Sequence, residues 1–323
     1  MFVDSLSYQI SKLWRRIKVT IRHTDRAQVL RTVGILLVAF AVLGTSPPEQ
    51  NRKTQIVNRQ SGEEQGVVSG VEKEDATQQF SPHRLPDSPP LFAVSATAAH
   101  FIDSQTGTVL YEKNANEKLP LASLTKVMTA VVVLDEFPLD EIVTVPELCT
   151  YLPPPKVGLA PGQKLTVEEL LYGMLVASAA DASCALSHHY EGDFLELMNR
   201  KAEELGLSQT HFENEIGWDG ENGGHFSTAR NLVKLSQEAL KNGVFRKIVG
   251  TAQWQNLTST NELLFTLPGT TGIKTGYTDE AKGCLAVSYE RDGHEVIGVI
   301  LGSDDRFLET QKILNRLFKV YQF

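Results

Sequence analysis

The sequence has 323 residues, of which 41% are apolar, and this is enough to bury the core of one large domain or two small ones. The first 45 residues carry seven basic side chains against Asp4 and Asp25, a net charge of +5, so the remaining residues carry −13. An acidic body of this kind argues against a nucleic acid as a partner.

The amino-terminal part has the pattern of a membrane-directed segment. Residues 1–31 place apolar residues at helical spacing among basic ones, which is typical of a helix on an anionic membrane surface, with an ordinary solvated helix as the alternative. Residues 32–45 form an apolar run about as long as a signal h-region and short of a full span of roughly 20 residues. We expect a basic cytoplasmic leader and an uncleaved anchor that leaves the rest on the extracytoplasmic side. Cleavage near Gly44, giving a secreted body, is the alternative.

The rest of the chain divides into a linker and a folded body. Residues 46–90 are rich in Pro, Gln, Ser, Gly and Glu and lack periodic apolar residues, so we expect a disordered linker. Residues 91–323 are predicted to form the folded domain.

Hydrophobic periodicity predicts the elements of this domain. Strands are expected over residues 98–102, 109–113, 142–145, 285–290 and 296–301. Helices are expected after Pro120, after a capping box at Thr166–Glu169, from Ser178 to Tyr190, and over residues 195–205, 227–242 and 305–320. Strands at both ends of a helical middle indicate an α/β (α+β) fold, in which one sheet is built from distant segments beside an inserted helical subdomain.

The cysteines and histidines do not form a recognisable metal or disulfide pattern. Cys149, Cys184 and Cys284 are odd in number and far apart, so we interpret them as small buried apolar residues. His188 and His189 are adjacent and would diverge by about 100° on a helix, which makes them a poor metal pair. No metal and no other cofactor is predicted.

Ser123 and Lys126 form the first candidate for chemistry. Pro120 favours a helix that begins just after it, with Ser123 in its first turn. Residues three apart share a helix face, so the amine of Lys126 can reach the hydroxyl of Ser123 and act as its base. The alternative interpretation is a capping serine followed by a surface lysine.

A second motif, Lys274-Thr275-Gly276, precedes the strand at 285–290 and is followed by Tyr277. It combines a lysine and a hydroxyl with glycines that let another molecule approach the backbone. This tripeptide is much rarer by chance than the Ser-x-x-Lys spacing.

Over residues 92–323 the sequence resembles the penicillin-recognising serine D,D-carboxypeptidases, the low-molecular-mass penicillin-binding proteins related to class A β-lactamases. The matching segments are Thr106–Tyr111, Leu121–Ala130, Leu165–Gly173, Asn214 with Gly217, His225–Ala229, Lys274–Gly276 and Gly283–Leu285. The resemblance implies a β-lactamase/transpeptidase-like fold with an antiparallel sheet flanked by helices. It also implies peptidoglycan stem peptides ending in D-Ala-D-Ala as substrate and β-lactam antibiotics as acylating inhibitors.

The resemblance further implies a role for each site residue. Ser123 attacks the penultimate D-alanine carbonyl to form an acyl-enzyme, Lys126 is the base, and Ser178 relays the proton to the leaving amine. Lys274 and Thr275 bind the terminal carboxylate, and the segment with Gly276 and Tyr277 completes the substrate site. The backbone amides of Ser123 and Tyr277 form the oxyanion hole. To act as a base, Lys126 needs a pKa about 3 units below its ordinary value, which we expect from burial and from the charge of Lys274.

One position departs from the family pattern. The family has Ser-x-Asn on the second helix, whereas this chain has Ala180 two residues after Ser178. Asp181 could substitute for the missing amide, or it could be a helix cap. His225 could be a third catalytic group, but we expect it to support the loop that leads into the helix beginning at Ser227. A wall-binding or penicillin-binding protein with weakened turnover is therefore the alternative function. A β-lactamase is less favoured, since between Ser178 and Lys274 the Glu-x-x-x-Asn spacing that its chemistry needs occurs only at Glu238–Asn242, inside a predicted helix.

Overall fold

The computed structural model describes residues 81–220 and 223–323. The predicted leader at 1–31, the apolar segment at 32–45 and residues 46–80 of the predicted linker lie outside the described residues. Among the helices in the described part of the chain, none combines the length and apolar character that crossing a membrane requires.

The folded domain has strands towards both ends and a mostly helical middle. In chain order, the strands are β1 (His83–Arg84), β2 (Ala98–Asp103), β3 (Val109–Lys113), β4 (Ile142–Thr144), β5 (Lys164–Thr166), β6 (Gln253–Trp254), β7 (Leu257–Thr258), β8 (Thr270–Thr278), β9 (Lys282–Arg291), β10 (His294–Ser303) and β11 (Tyr321–Gln322). The α-helices are α1 (Thr125–Glu136), α2 (Glu147–Thr150), α3 (Val167–Val176), α4 (Ala180–His189), α5 (Phe194–Glu204), α6 (Ala229–Leu240), α7 (Gly243–Val249), α8 (Leu263–Thr266) and α9 (Arg306–Val320).

The main sheet has five antiparallel strands in the order β3-β2-β10-β9-β8. The prediction of one sheet built from both ends of the domain is therefore confirmed. The hairpin between β9 and β10 turns at Asp292 and Gly293, with φ of 53° and 82°, the pair of positive values that a tight two-residue hairpin loop requires. The alternation of side chains along the strands sends apolar residues to both faces of the sheet.

Strand β2 shows how the two faces are filled. All six of its residues are buried. Ala98 and Ile102 face the larger core, which the helices of the middle of the chain complete, whereas Ala99 and Phe101 face a second core under α9. The sheet is thus covered by helices on both faces, and β8 lies at its edge next to the 3-10 turn that carries Ser123.

The helical boundaries follow from their caps. The predicted capping box is present: Thr166 Oγ1 accepts from the Glu169 amide, and the Glu169 carboxylate accepts from the Thr166 amide. The helix predicted over 227–242 ends earlier, at Leu240. Asn242 then caps the additional helix α7, because its Oδ1 accepts from the amides of Val244 and Phe245. The sequence pattern predicts only the end of a helix at that asparagine and does not reveal α7.

The prediction that a helix begins at Ser178 is wrong by two residues. Helix α4 begins at Ala180, and its N-cap residue Ala179 contributes no side-chain cap. Ser178 has φ of 60°, a left-handed conformation outside the helix, and this turns its hydroxyl away from a capping position.

The interpretation of the cysteines is wrong for two of the three. Cys149 on α2 and Cys184 on α4 form a disulfide that closes a separation of 35 residues. The contact arises because α2 lies against α4, with the two Cα atoms 5.5 Å apart, and neither spacing nor number reveals it in the sequence. Cys284 is free and buried, as predicted.

Pairing in the described chain begins upstream of residue 91, the predicted start of the domain. Strand β1 at His83–Arg84 pairs in antiparallel fashion with β11 at Tyr321–Gln322. Two-residue strands have no hydrophobic period, so the patterns do not predict either of them.

Candidate active site

The nucleophile candidate Ser123 lies in a 3-10 turn just before an α-helix. This turn spans Ala122–Leu124, and α1 begins at Thr125. Lys126 Nζ lies 2.9 Å from Ser123 Oγ, so the predicted contact of amine and hydroxyl is confirmed. The alternative of a capping serine and a surface lysine is excluded, because the turn has no side-chain cap and Lys126 is 1% exposed.

The environment of Lys126 favours the neutral amine. Burial lowers the pKa of Lys126 from 10.5 to about 7, although the charge of Glu215 opposes this shift. A neutral amine next to a hydroxyl can accept the proton of that hydroxyl. The prediction of a depressed pKa thus agrees with the structure, but burial is the main cause, and the charge of Lys274 is not needed for it.

Ser178 and Lys274 form a second buried pair. Lys274, on β8, donates from Nζ to Ser178 Oγ and to the Thr275 carbonyl, both at 2.9 Å. Burial lowers the pKa of Lys274 well below its ordinary value, and the charges of Lys126 and Arg306 lower it further. The effect of the Lys126 charge on Lys274 indicates that the two amines lie in one electrostatic environment, where a bound carboxylate would be strongly stabilised.

The rest of the predicted substrate segment lies on β8. Thr275 is buried and its Oγ1 lies 2.7 Å from Thr260 Oγ1. Gly276 lies against the nucleophile turn: a Cβ there would be 2.9 Å from Ala122 Cβ and 3.0 Å from the Ser123 nitrogen. Tyr277 is 59% exposed at the rim.

Gly217 approaches the same peptide group. A Cβ at Gly217 would be 2.1 Å from the Ala122 carbonyl oxygen and 2.8 Å from the Ser123 nitrogen, closer than any side chain allows. The peptide between Ala122 and Ser123 is therefore flanked by Gly217 and Gly276, and both positions require glycine because backbone meets backbone there.

The loop that contains Asn214 and Gly217 positions Lys126. In the sequence, these two residues are the loop's only match to the family pattern. Asn214 Oδ1 accepts from the amides of Gly217 and Trp218, and this fixes the turn. The Ile216 carbonyl in this turn accepts a hydrogen bond from Lys126 Nζ.

Two hydroxyls hold the same loop against the helices. Thr129 Oγ1 on α1 and Ser183 Oγ on α4 each donate to the Glu215 carbonyl at 2.8 Å. No sequence motif singles out either residue, since their partners are backbone atoms of a segment 86 and 32 residues away.

Asp181 does not take the place of the missing amide at Ala180. Its buried carboxylate accepts from the backbone amides of Val157, Gly158 and Leu159 at 2.9 to 3.1 Å. It therefore anchors the loop that follows the prolines, which is neither the substitution nor the helix cap that the sequence left open. The Ala180 amide donates to the Pro155 carbonyl at 2.8 Å and ties the helix to the same loop.

His225 joins the loop at Glu213 to the start of α1, next to the nucleophile turn. Its Nε2 lies 2.8 Å from Thr125 Oγ1, two residues from Ser123, and its Nδ1 accepts from the Glu213 amide at 2.9 Å. No sequence pattern indicates this contact, because residues 125 and 225 meet only through the fold.

One group of potential metal ligands exists among the described residues: Cys149, Cys184 and His188 have donor atoms within 4.8 Å of one another. The two sulfurs are bonded to each other, so they do not offer the thiolates that zinc prefers.

An antiparallel sheet with helices on both faces carries, at its edge strand, a Ser-x-x-Lys turn and a second serine–lysine pair. These features define an enzyme that transfers acyl groups through a serine nucleophile. The family model described as D-alanyl-D-alanine carboxypeptidase matches residues 84–305. The chain belongs to this family.

Individual relatives agree. The chain is 35% identical over 252 residues to the D-alanyl-D-alanine carboxypeptidase DacF of Bacillus subtilis, covering 71% of this chain and 64% of that one, which is a little under two thirds of its length. It is 35% identical to the D-alanyl-D-alanine carboxypeptidase of Streptomyces sp. strain K15, covering 69% and 87%. The crystal structure of the Streptomyces K15 DD-transpeptidase superposes with a TM-score of 0.68 at 34% identity, covering 72% of this chain and all of that one.

Proposed function

We propose that this protein is a serine D-alanyl-D-alanine carboxypeptidase that removes the terminal D-alanine from peptidoglycan stem peptides. The observation that carries the proposal is the buried Lys126 amine, with a pKa of about 7, at 2.9 Å from the Ser123 hydroxyl. This pair supplies a nucleophile and a base at neutral pH without a histidine.

Acylation proceeds in two proton transfers. The neutral amine of Lys126 takes the proton of Ser123 Oγ, and Oγ forms a bond to the carbonyl carbon of the penultimate D-alanine. The carbonyl oxygen becomes an oxyanion that the backbone amides of Ser123 and Tyr277 stabilise. The C–N bond then breaks, the leaving nitrogen receives a proton through Ser178, and D-alanine departs. Water hydrolyses the acyl-enzyme and frees Ser123.

The terminal carboxylate of the substrate binds at Lys274 and Thr275. A carboxylate next to Lys274 favours its ammonium form, so substrate binding raises a pKa that burial lowers in the free enzyme. The charged amine then strengthens the hydrogen bond to Ser178 and is a proton source for the leaving group. A peptide without a free carboxylate does not provoke this change, which explains selectivity for the C-terminal bond.

The proposal includes an extracytoplasmic location, with residues 32–45 as an N-terminal membrane anchor. The apolar run of that segment supports it, as does the disulfide between Cys149 and Cys184, since disulfides persist in oxidising compartments outside the cytoplasm. β-Lactam antibiotics are expected to acylate Ser123, as the family implies.

Ala180 favours a second candidate, a penicillin-binding or wall-binding protein with slow turnover. The side chain of Ala180 has no hydrogen-bonding group for a substrate carbonyl, and a lost active-site hydrogen bond costs about 2 to 4 kcal/mol. The Ile216 carbonyl replaces only one function of the missing asparagine amide. It accepts a hydrogen bond from Lys126 and so orients that amine, but it cannot donate a hydrogen bond to the substrate. The variant Ala180→Asn distinguishes the two: a rise of about tenfold or more in acylation rate shows that the amide is missed.

The deciding experiment measures acylation and turnover in the same protein. Wild type should be labelled by a fluorescent penicillin and should release D-alanine from diacetyl-L-lysyl-D-alanyl-D-alanine. The Ser123→Ala variant should do neither while keeping its circular dichroism spectrum. Labelling without release of D-alanine supports the slow-turnover candidate, and folded wild type that does neither overturns the proposal.

A further inference from the structure

A chain of three hydrogen bonds leads from the Glu213 backbone to the nucleophile turn. The Glu213 amide donates to His225 Nδ1 at 2.9 Å, His225 Nε2 lies 2.8 Å from Thr125 Oγ1, and Thr125 Oγ1 donates to the Ala122 carbonyl at 2.8 Å. His225 and Thr125 are 2% and 0% exposed, so water does not compete for these bonds.

The direction of each bond is fixed by its neighbours. Because the Glu213 amide donates to Nδ1, that nitrogen carries the lone pair, and the ring proton of the neutral imidazole is on Nε2. Thr125 has one hydroxyl proton, which it gives to the Ala122 carbonyl, so its oxygen accepts from Nε2. Both ends of the chain therefore require the same tautomer of His225. Burial lowers the pKa of His225 to about 4, and the nearby His211 acts in the same direction, so the ring stays neutral at working pH.

The carbonyl that ends this series of hydrogen bonds belongs to a peptide group that takes part in the proposed reaction. The Ala122 carbonyl and the Ser123 amide belong to one planar peptide group, and the Ser123 amide is one of the two proposed oxyanion donors. A hydrogen bond to the carbonyl of a peptide group polarises that group and makes its N–H a stronger donor. It also fixes the plane of the peptide, and hence the direction in which the N–H points.

This peptide needs such support. Ala122 has φ of 47°, a left-handed conformation that is unfavourable for a residue with a Cβ. Gly217 and Gly276 limit how far the peptide can move to either side. The Thr125 amide also donates to the Ala122 carbonyl, so the Thr125 hydroxyl adds a second hydrogen bond, from a side chain, to the same oxygen.

We propose that His225 and Thr125 are positioning residues of the oxyanion hole, which act by holding and polarising the peptide group between Ala122 and Ser123. The inference rests on the proposed function, because it concerns the transition state of acyl transfer. It changes the interpretation of His225 from support of a loop to support of a reacting amide.

The test compares Thr125→Val, which removes the hydroxyl at nearly constant shape, with Thr125→Ser, which keeps it. For diacetyl-L-lysyl-D-alanyl-D-alanine, the valine variant should lose about 10- to 100-fold in kcat with KM within about twofold, since the oxyanion exists in the transition state and not in the bound substrate. The serine variant should stay within about threefold of wild type.

The affinity for a peptide boronic acid ending in a D-alanine analogue is a readout that a purely structural role of Thr125 would not change. The boron of this compound bonds to Ser123 Oγ, whose proton passes to Lys126, and the resulting anionic tetrahedral adduct places an oxygen in the oxyanion hole. Thr125→Val should weaken boronate affinity by the same factor as kcat/KM. Thr310→Val is the matched control, since Thr310 is another buried threonine and its Oγ1 has no hydrogen-bond partner among the described residues.

Several outcomes overturn the inference. A folded Thr125→Val enzyme with wild-type kcat does so, and so does a loss of kcat without a loss of boronate affinity. If the valine variant does not fold, wild type alone decides by nitrogen NMR of labelled histidine. His225 should show the Nε2–H tautomer and should not titrate between about pH 5 and 8, and the Nδ1–H tautomer would contradict the chain. Wild type that neither releases D-alanine nor binds the boronate overturns the proposed function and the inference with it.

Discussion

The two serine–lysine pairs of the site are built in opposite ways. Ser123 and Lys126 are three residues apart and meet through one local turn, whereas Ser178, just before α4, and Lys274, on β8, are 96 residues apart and meet only through the fold. The N···O distance is 2.9 Å in both. Local geometry thus brings the proposed nucleophile and base into contact, although burial by the rest of the domain lowers the pKa of Lys126. The proposed carboxylate-binding pair comes together only when the whole domain is folded. Substitutions in the two pairs should therefore have different effects on activity.

The local pair should give the largest effect. Lys126→Met keeps an apolar stem in the buried position and removes the base, so acylation of Ser123 should fall by about 10³- to 10⁴-fold. The rate of labelling by fluorescent penicillin measures this. Lys126→Arg, which is always charged, should be as inactive as the methionine variant, and recovery of activity with arginine would contradict the role of a neutral base.

The long-range pair should give a smaller effect that depends on the substrate. Lys274→Gln removes the charge that binds the terminal carboxylate, so kcat/KM for a peptide ending in D-Ala-D-Ala should fall by about 10²-fold. For the same peptide with an amidated C terminus, kcat/KM should already be low in wild type, and Lys274→Gln should lower it only slightly further. Equal losses for both peptides would show that Lys274 acts in the chemical step and not through the carboxylate.

The pH dependence of kcat/KM distinguishes the proposed roles of the Lys126 and Lys274 amines. The free amine of Lys126 is the active form and its pKa is about 7, so kcat/KM should rise with pH and level off above that value. Below about pH 6 it should fall about tenfold per unit, because protonation of one group removes the base. The expected profile is measured in wild type and again in Lys274→Gln. Loss of the second charge should move the midpoint upward or leave it unchanged, and a downward move would contradict the coupling of the amines.

The disulfide should affect stability and have the smallest effect on turnover. Cys149 and Cys184 are joined 35 residues apart, and a cross-link of that length stabilises by about 2 to 4 kcal/mol. Cys149→Ser with Cys184→Ser should lower the melting temperature by several degrees and leave kcat within about twofold at 25 °C. Addition of a reducing agent to wild type should reproduce the shift, whereas Cys284→Ser, at the free cysteine, should not respond to the reductant differently from wild type.

What the sequence could predict follows the same division. Contacts within one turn were accessible, since the Ser123–Lys126 spacing and the capping box at Thr166 each depend on fewer than five residues. The sheet was accessible as well, because strands of alternating pattern must cover each other's apolar faces. The positive φ of Ser178 could not be foreseen, since a serine after an apolar helix is also a good cap.

Contacts that only the fold creates were missed. The disulfide, the anchoring of residues 157–159 by Asp181 and the contact of His225 with Thr125 join segments that are 22 to 100 residues apart. No period or spacing encodes such pairs. The resemblance to a family supplied the roles of Lys274 and Thr275, but the geometry was needed to show that burial rather than a second charge depresses the pKa of Lys126.

The flanking of the nucleophile peptide by Gly217 and Gly276 bears on how resistance to β-lactams could arise in this protein. Any side chain at either position would push against the backbone that carries Ser123, so the enzyme would lose its own reaction together with its sensitivity. Trp218 and Tyr277, the next residue in each segment, are 43% and 59% exposed and can change without that damage. Substitutions that give resistance to β-lactams should therefore arise first at Trp218 and Tyr277. Inhibitors that contact Gly217 and Gly276 instead should select few resistant variants.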